Sequence, residues 1–246
     1  MTDFYKALSC YYDYLFPASP TTIDFIGRRA KAHSSILDLA CGTGNYSLAL
    51  AHLGWKVTGV DLDEQMIDLA RAKVRDKRCR FEVGDMRRLR EVCAEDEYDL
   101  VLCIGNSLAH LTNKQDIIRL LVDCLAILKQ GGKLIVQIVN FDRLLKNRIK
   151  NLPEIVREKV GITFIRQYEY SAGPHSIINF VSELKIQRGN KEESLINSIP
   201  LLPIKSRKLK SMVEWAGFKE IDLFGDFSEA DYSSESPATV ICGSKV

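Results

Sequence analysis

The 246-residue sequence lacks features that mark several classes of protein. It has no uninterrupted apolar run of about 18 residues, the length that spans a membrane, and it does not begin with a basic segment followed by an apolar core. It also lacks a strong charge of one sign, because 34 basic residues face 32 acidic ones for a net charge of +2. We therefore expect a cytoplasmic protein with no membrane partner, and nucleic acid is a disfavoured partner.

Paired cysteines and metal-binding spacings are missing as well. The seven cysteines are scattered, odd in number and without a C-x-x-C pair, which is typical of reduced and mostly buried thiols. Neither an H-x-x-x-H pair nor a Cys/His cluster occurs, so the sequence predicts no metal site. Apolar residues make up 46% of the chain, which is enough to bury a sizeable core.

Short apolar strands alternate with helical patterns through residues 34–140. Strands are predicted at SSILDLA, WKVTGVD, CRFEVGD, YDLVLCIGN and KLIVQIVN. The helical pattern NKQDIIRLLVDCLAILK ends at a predicted QGG stop before the last of these strands. Apolar strands separated by helices indicate a parallel sheet covered on both faces. With the closing strands KEIDLFGDF and ATVICGSKV, they predict an α/β fold with a doubly wound, mostly parallel, seven-stranded Rossmann-like sheet.

An insertion with a different pattern is expected at residues 148–204. The segments GITFIRQYEY, HSIINFVSELKIQ and ESLINSIPLLPI alternate in polarity and predict antiparallel strands. His175 lies beside Gly-Pro and is assigned to a turn. We expect this β insertion to cap the substrate, with residues 1–147 and 205–246 forming the core. Residues 1–33 are expected to form a helical cap that packs outside that core.

The stretch ILDLACGTGN, residues 36–45, ends the first predicted strand in small residues. Glycine weakens regular elements, so such a cluster indicates a tight turn or a ligand that contacts the backbone. Doubly wound sheets bind ligands in the crevice at the carboxyl ends of their strands. There Gly42 and Gly44 leave room beside free helix amides, and Asp61 can accept hydrogen bonds from a ribose diol. These residues predict a nucleoside site.

The spacing within this stretch distinguishes between two kinds of nucleoside. NAD-binding folds carry G-x-G-x-x-G, but Ser47 stands at the third glycine position. The steps of two at Asp38, Ala40, Gly42 and Gly44 instead resemble the first motif of the class I S-adenosylmethionine-dependent methyltransferases. The segments VTGVDLDEQM, FEVGDM, YDLVLCIGNSLAHL and LKQGGKLIVQ resemble that family in the same order, over about residues 35–140. This resemblance implies S-adenosylmethionine as the cofactor.

The resemblance also implies a role for each motif residue. Asp38 and the glycine-rich loop would hold the methionine part, Asp61 the ribose hydroxyls and Asp85 the adenine amino group, while the apolar members would enclose the adenine ring. For Met66, simple packing on a helix face is an alternative. The implied cofactor-binding set is Asp38, Ala40, Gly42, Gly44, Asp61, Leu62, Met66, Asp85, Met86 and Ile104.

Two further segments, IGNSLAHL and VNFDRLL, are similar to parts of glycine and sarcosine N-methyltransferases. In those enzymes the asparagine that matches Asn106 contacts the amino acid substrate. His110 follows it by about one helical turn and is a candidate base; alternatively it caps or packs the next helix. Those enzymes also hold the substrate carboxylate with an arginine from the inserted region. The candidates here are Arg143, Arg148, Arg157 and Arg166.

Tyrosines crowd the first predicted helix and recur on one inserted strand. An aromatic ring face favours a cation such as a sulfonium, and we predict that Tyr12 lies near the cofactor. The alternative is that these amphipathic rings only pack at surfaces. The two sets are Tyr5, Tyr11, Tyr12 and Tyr14 on the helix, and Tyr168 and Tyr170 on the strand.

The leading hypothesis is an enzyme that methylates a small molecule, possibly an amine. An enzyme of the same fold that methylates a protein or RNA is one alternative, and it would need an open cleft. A non-catalytic module that only binds the nucleoside is another. Both a monomer and a homodimer remain open as the oligomeric state.

Overall fold

The computed structural model describes residues 3–93, 97–170 and 177–246, and its centre is a seven-stranded sheet. Numbered along the chain, the strands lie in the order β10-β11-β5-β4-β1-β2-β3. Neighbours from β5 to β3 pair in parallel, and β11 runs antiparallel to both β5 and β10. The bounds are β1 Ser35–Leu39, β2 Lys56–Asp61, β3 Cys79–Val83, β4 Tyr98–Cys103, β5 Leu128–Val139, β10 Lys219–Phe224 and β11 Ala238–Ser244. The predicted mostly parallel, doubly wound sheet is confirmed.

Helices cover the sheet on both faces, and a separate hydrophobic cluster forms on each side. Leu50 and Ile67 belong to one cluster, and Leu120 and Met212 belong to the other. The helices are α1 Asp3–Leu15, α2 Pro20–Gly27, α3 Asn45–His52, α4 Glu64–Lys73, α5 Leu89–Val92, α6 Lys114–Ile127, α7 Phe141–Asn147 and α8 Ser206–Trp215. Short 3-10 helices occupy Met86–Arg88, Ser107–His110 and Glu158–Val160.

Side-chain caps explain where several helices begin. The Asp63 carboxylate accepts hydrogen bonds from the backbone amides of Gln65 and Met66 at the start of α4. Asn113 and Asn140 cap α6 and α7 in the same manner. Each cap satisfies amides that have no partner within the helix.

The expectation that both N-terminal helices pack outside the core is wrong for α2. Phe25 and Ile26 on α2 are fully buried, and they join the hydrophobic cluster on one face of the sheet. The Phe25 ring packs edge-on against Phe224 and Phe227, at centroid distances of 5.6 and 5.2 Å. Burial of two large apolar side chains stabilises α2 in this position, so only α1 lies over the core as a cover.

The predicted QGG stop is also wrong, because these residues lie inside strand β5. Helix α6 ends at Ile127, and β5 begins with the next residue. The register against β4 shifts between Tyr98, which pairs with Leu128, and Leu100, which pairs with Lys133. The extra residues bulge out of the ladder. Gly131 allows this bulge by adopting a positive φ of 75°.

A second sheet occupies the predicted insertion. Its four strands, in the order β6-β7-β8-β9, are all antiparallel. One face of this sheet packs against α1, and the backbone amide of Leu202 donates to the carbonyl of Ala109 in the core at 2.8 Å. The bounds are β6 Ile155–Arg157, β7 Ile162–Tyr170, β8 Ile178–Arg188 and β9 Lys191–Leu201. His175, which was assigned to a turn, lies outside the described residues.

None of the helices among the described residues has both the length and the apolar character needed to cross a membrane.

Candidate functional site

The loop after β1 lies at the carboxyl end of that strand and has an unusual backbone conformation. Ala40, Gly42 and Gly44 all have positive φ, at 55°, 57° and 78°. This conformation costs little for glycine and is strained for alanine. Strain of this kind is common at ligand sites. The Gly44 amide donates to the Cys41 carbonyl at 3.0 Å, which closes the turn before α3.

Asp61 ends β2 and holds this loop in place. One carboxylate oxygen accepts from the Gly42 amide at 2.8 Å, and the other accepts from the Asp63 amide at 3.0 Å. Burial raises the pKa of Asp61, although the backbone hydrogen bonds oppose that rise. Each oxygen has a second lone pair, so the carboxylate can still accept from a pair of hydroxyls.

Asp38 lies in β1 beneath the loop, and its side chain is only 3% exposed. The Ser47 hydroxyl donates to one of its oxygens at 2.6 Å. Burial, reinforced by the charge of Asp61, raises the pKa of Asp38 to about 6. Ser47 stands where the dinucleotide fingerprint has its third glycine, and its hydroxyl stabilises a buried carboxylate that a glycine would leave unpaired.

The Tyr12 ring of α1 covers the glycine-rich loop. A Cβ on Gly42 would lie 3.1 to 3.2 Å from atoms of this ring, so the absence of a side chain there permits the contact. Burial, followed by the nearby charge of Asp61, raises the pKa of Tyr12 well above its ordinary value. Tyr12 thus lies over Gly42 and near Asp61, two residues that are themselves predicted to contact the cofactor.

Polar contacts fasten α1 to the loop beside Tyr12. Asp13 accepts from the Thr43 hydroxyl at 2.5 Å and from the Lys73 ammonium group at 2.7 Å. The Gln65 amide donates to the Ser9 hydroxyl at 2.9 Å. The sequence pattern does not indicate these hydrogen bonds, because the paired residues are 30 to 60 positions apart in the chain.

The remaining cofactor candidates have different surroundings. Met66 and Ile104 are buried, Met86 is half-buried, and Leu62 is 66% exposed and packs against little. Asp85 accepts hydrogen bonds from the backbone and side chain of Arg87, and this pairing lowers its pKa. The arginine was not anticipated, and it must share or release the carboxylate if Asp85 is to accept from an adenine amino group.

The end of β4 is joined to β5 through two side chains. Asn106 has a positive φ of 69°, and its side-chain oxygen accepts from the Val139 amide at 3.0 Å. The Gln137 side chain accepts from the Gly105 amide at 2.7 Å. Among the described residues, no group accepts from the side-chain nitrogen of Asn106, Nδ2, which is therefore available to a ligand. Gln137 was missed, although a polar residue in the apolar strand KLIVQIVN is a visible signal.

His110 is solvent-exposed at the end of the 3-10 helix after β4, yet desolvation lowers its pKa. The predicted alternative is that His110 caps or packs the next helix. That helix, α6, is capped by Asn113, whose side chain accepts a hydrogen bond from the Gln115 amide. The lowered pKa of His110 favours the neutral imidazole, which is the form that can accept a proton.

The four candidate arginines are not equivalent. Arg148 is exposed and lies over the Tyr170 ring at 5.2 Å, and Arg157 donates to the Tyr14 carbonyl at 2.7 Å. Arg143 is half-buried on α7. It adds to the lowering of the pKa of Glu235, which is mainly due to the hydrogen bond from Lys146. Arg166 is half-buried on β7 and faces no carboxylate among the described residues.

The other tyrosines mostly have structural contacts. Tyr14 is exposed, Tyr168 is buried, and the Tyr170 hydroxyl donates to the carbonyls of Leu144 and Ile149. In the part of the chain that the structure describes, no group of three or more His, Cys, Asp or Glu residues is arranged to hold a metal ion.

The crevice as a whole fits S-adenosylmethionine. A half-buried carboxylate at Asp61 suits the ribose hydroxyls, the buried carboxylate of Asp38 suits an ammonium group, and the Gly42 backbone leaves no side chain in the way. The fold and site therefore define a nucleoside-binding α/β protein of the kind that parallel strand ends support.

Comparisons with known proteins agree with this assignment. A family model described as a methyltransferase domain matches residues 36–132. A glycine/sarcosine N-methyltransferase from Parasynechococcus marenigrum is 32% identical over 209 residues, which cover 83% of this chain and 70% of the relative. A glycine/sarcosine/dimethylglycine N-methyltransferase from Actinopolyspora halophila is 31% identical over 85% of this chain but only 35% of its own length.

The fold is shared with a solved S-adenosylmethionine-dependent methyltransferase from Clostridium acetobutylicum. The TM-score is 0.82 at 18% identity, over 98% of this chain and 99% of the other. The chain belongs to the class I S-adenosylmethionine-dependent methyltransferases. It is an enzyme of that family, and S-adenosylmethionine is its cofactor.

Proposed function

We propose that the protein transfers the methyl group of S-adenosylmethionine to the nitrogen of a small amine. The observation that carries the proposal is a cover: helix α1 packs against the inserted sheet, and its Tyr12 ring lies on the glycine-rich loop. The relatives named for glycine and sarcosine N-methylation add support, because each is named for a small amine substrate.

The cover is a packed apolar structure. Phe4 and Leu8 of α1 share one hydrophobic cluster with Phe164 and Leu184 of the inserted sheet. The same helix carries Tyr12, whose ring lies on the glycine-rich loop. A cleft closed in this way suits a small acceptor, whereas a folded protein or an RNA would need an open groove. A cover of this kind would also exclude water from the site of methyl transfer.

When bound, S-adenosylmethionine supplies an electrophilic methyl group on a sulfonium. The groups proposed to hold it are Asp38, Asp61 and the backbone of the glycine-rich loop from Ala40 to Gly44, with the Tyr12 ring face favouring the positive charge. The free amide of Asn106 would orient the acceptor, and His110 would accept the proton that an ammonium acceptor must lose before it can attack. Orientation and water exclusion are the main contributions that the chain has to make.

The test is a measurement of S-adenosylhomocysteine formed from S-adenosylmethionine with single acceptors. The panel contains glycine, sarcosine and other small amines, with purified RNA and a protein extract as macromolecular acceptors. We expect product with at least one small amine and none above background with the macromolecules. The Asp61→Ala variant is the negative control, because it should not retain cofactor.

Two results would contradict the proposal. Product formed only with RNA or protein would assign the enzyme to macromolecular methylation. Tight cofactor binding without product from any acceptor would favour the non-catalytic nucleoside-binding module.

A further inference from the structure

A polar residue lies inside the apolar strand β5, next to the loop that follows β4. Gln137 is half-buried and pairs with Val240 of β11, while its neighbours along the strand, Val136 and Ile138, are buried in the core. A polar side chain among apolar ones costs free energy unless it makes hydrogen bonds. The hydrogen bonds of Gln137 therefore indicate what a glutamine does at this position.

Gln137 accepts from two consecutive amides of the loop after β4. Its side-chain oxygen accepts from the Gly105 amide at 2.7 Å, and its backbone carbonyl accepts from the Asn106 amide at 3.2 Å. Both loop residues have a left-handed backbone, with φ of 73° at Gly105 and 69° at Asn106. This conformation is uncommon for a residue other than glycine, and it persists where surrounding contacts stabilise it. The two hydrogen bonds to Gln137 are contacts of this kind.

Packing offers little restraint at the same point of the loop. Gly105 is exposed, and a Cβ built there would meet only the Ser107 hydroxyl, at 4.0 Å, among the described residues outside its immediate neighbours. The loop becomes buried only farther on, at Leu108 and Ala109. The hydrogen bond to the Gln137 side chain is therefore the contact that holds the Gly105 backbone against β5.

The loop conformation determines where the Asn106 side chain points. Its oxygen accepts from the Val139 amide at 3.0 Å, two residues beyond Gln137 on the same strand. The oxygen and the nitrogen of a carboxamide lie on different sides of the group, so this bond directs Nδ2 away from the Val139 backbone. Nδ2 is the donor that the proposed function gives to the methyl acceptor.

We propose that Gln137 is a positioning residue for methyl transfer, whose side-chain oxygen holds the loop so that Asn106 presents Nδ2 to the methyl acceptor. Gln137 acts through Asn106 and needs no contact of its own with the acceptor. This inference rests on the proposed function, because that function assigns the acceptor to Asn106. Loss of the Gln137 oxygen should release the loop and weaken acceptor binding, while the cofactor groups Asp38 and Asp61 stay in place.

The first test needs no acceptor. The side-chain amide of Asn106 is followed in ¹H–¹⁵N NMR spectra of the complex with S-adenosylhomocysteine, and Asn106→Ala assigns its pair of signals by their loss. In the wild type we expect these signals to be displaced from those of exposed asparagines, because the Val139 amide fixes the carboxamide.

Two substitutions of Gln137 then differ only in the oxygen. Gln137→Met has a similar size but no oxygen, so the Asn106 signals should move to the position of exposed asparagines. The Gly105 amide should also exchange with solvent about tenfold faster, since it has lost its acceptor. Gln137→Glu keeps an oxygen at the same distance and should keep the wild-type signals. If Gln137→Met does not fold, Gln137→Ser, which is too short to reach the Gly105 amide, replaces it.

The second test is kinetic and uses the amine with the highest turnover. In Gln137→Met the KM for this amine should rise about tenfold, as expected for one misplaced hydrogen bond, with a smaller change in kcat. Affinity for S-adenosylhomocysteine should stay within about twofold of the wild type, because its groups lie elsewhere. Adding Gln137→Met to Asn106→Ala should have no further effect on KM, because the two residues act as one unit. Gln130→Met, an exposed position on the same strand, is the control and should keep the wild-type KM.

The outcomes separate this inference from the proposed function. Unchanged Asn106 signals in folded Gln137→Met overturn it, and so do wild-type signals already at the exposed position. Effects of Gln137→Met and Asn106→Ala on KM that add, or an equal loss of affinity for S-adenosylhomocysteine, overturn it as well. Signals that respond as expected in an enzyme that methylates no amine would support the positioning of Asn106 and contradict the proposed function.

Discussion

The crevice at the strand ends and the inserted sheet bring their polar groups together by different means. In the crevice, the backbone at Gly42 and the strand-end carboxylates of Asp38 and Asp61 provide the polar groups. In the inserted sheet, side chains from three different strands line up through their register. The crevice thus depends on geometry that any parallel sheet of this type offers, while the inserted sheet depends on which side chains occupy one face. Cofactor binding and acceptor choice should therefore respond to different substitutions.

The largest effect is expected for Asp61→Ala. This change removes a carboxylate that holds the loop and would bind the ribose, and each charged hydrogen bond contributes about 1.5–3 kcal/mol. We expect affinity for S-adenosylmethionine to fall about 100-fold. Calorimetric titration checks this result, with Asp99→Ala as the control. Asp99 accepts from the Ser35 amide at the opposite, amino edge of the sheet. Equal losses of affinity in Asp61→Ala and Asp99→Ala would contradict the role given to Asp61, because they would show a general loss of structure.

The second effect is the pH dependence of cofactor affinity. The pKa of Asp38 is raised to about 6, so its carboxylate is ionised at pH 7.5 and mostly protonated at pH 5. An ammonium group pairs with the ionised carboxylate, and about one carboxylate in ten remains ionised at pH 5. The affinity for S-adenosylmethionine should therefore fall about tenfold from pH 7.5 to pH 5. Calorimetric titration of the wild type and of Asp38→Asn at both pH values measures this change. The variant should bind S-adenosylmethionine weakly, and its affinity should not depend on pH in this range.

As the pH falls, the free energy of unfolding should rise while the cofactor affinity falls. This opposite direction separates the two effects of Asp38. The folded-state pKa of Asp38 lies above its ordinary 3.8, so the folded protein binds the proton more tightly. Its contribution to the free energy of unfolding therefore increases as pH falls from 7 towards 4. Denaturant melts of the cofactor-free protein, compared with Asp38→Asn, should show this gain. A loss of stability with falling pH relative to the variant would contradict the assignment.

The smallest effect is expected at Tyr12. Its ring lies on the loop, but its hydroxyl has no hydrogen bond to a described residue, so Tyr12→Phe should bind S-adenosylmethionine as wild type does. Tyr12→Ala should weaken binding about two- to fivefold, in line with about 0.5–1 kcal/mol at the lower end of the range for a cation on an aromatic ring. Tyr14→Ala, an exposed position on the same helix, is the control. A large loss in Tyr12→Phe would show that the hydroxyl contacts the ligand.

The crevice was predictable because its signals are local. Asp38, Gly42 and Gly44 lie within seven residues, and parallel strands bring the end of β2, with Asp61, to the same edge. Two errors came from packing that local patterns do not show: the burial of Phe25 against distant aromatic rings, and a bulge at Gly131 that keeps β5 continuous.

The cover was predictable only in outline. Alternating polarity indicated its strands, but the row formed by Arg166, Ser182 and Asn197 on three neighbouring strands follows from pairing between strands, and the contact of Asn197 with Tyr5 spans 192 residues. Two further contacts depend likewise on side-chain conformations that sequence spacing does not specify. They are the pairing of Asp85 with Arg87 and the hydrogen bond from Thr43 to Asp13.

Helix α1 touches both regions at once, through Asp13 on the loop side and Tyr5 on the inserted sheet. An element that contacts both regions would couple the binding of a ligand in one region to the binding of a ligand in the other. Such coupling is reciprocal: whatever factor the cofactor adds to acceptor affinity, the acceptor adds to cofactor affinity. The spent cofactor should therefore leave more easily once the methylated product has gone, so the N-terminal helix would set the order in which the two products are released.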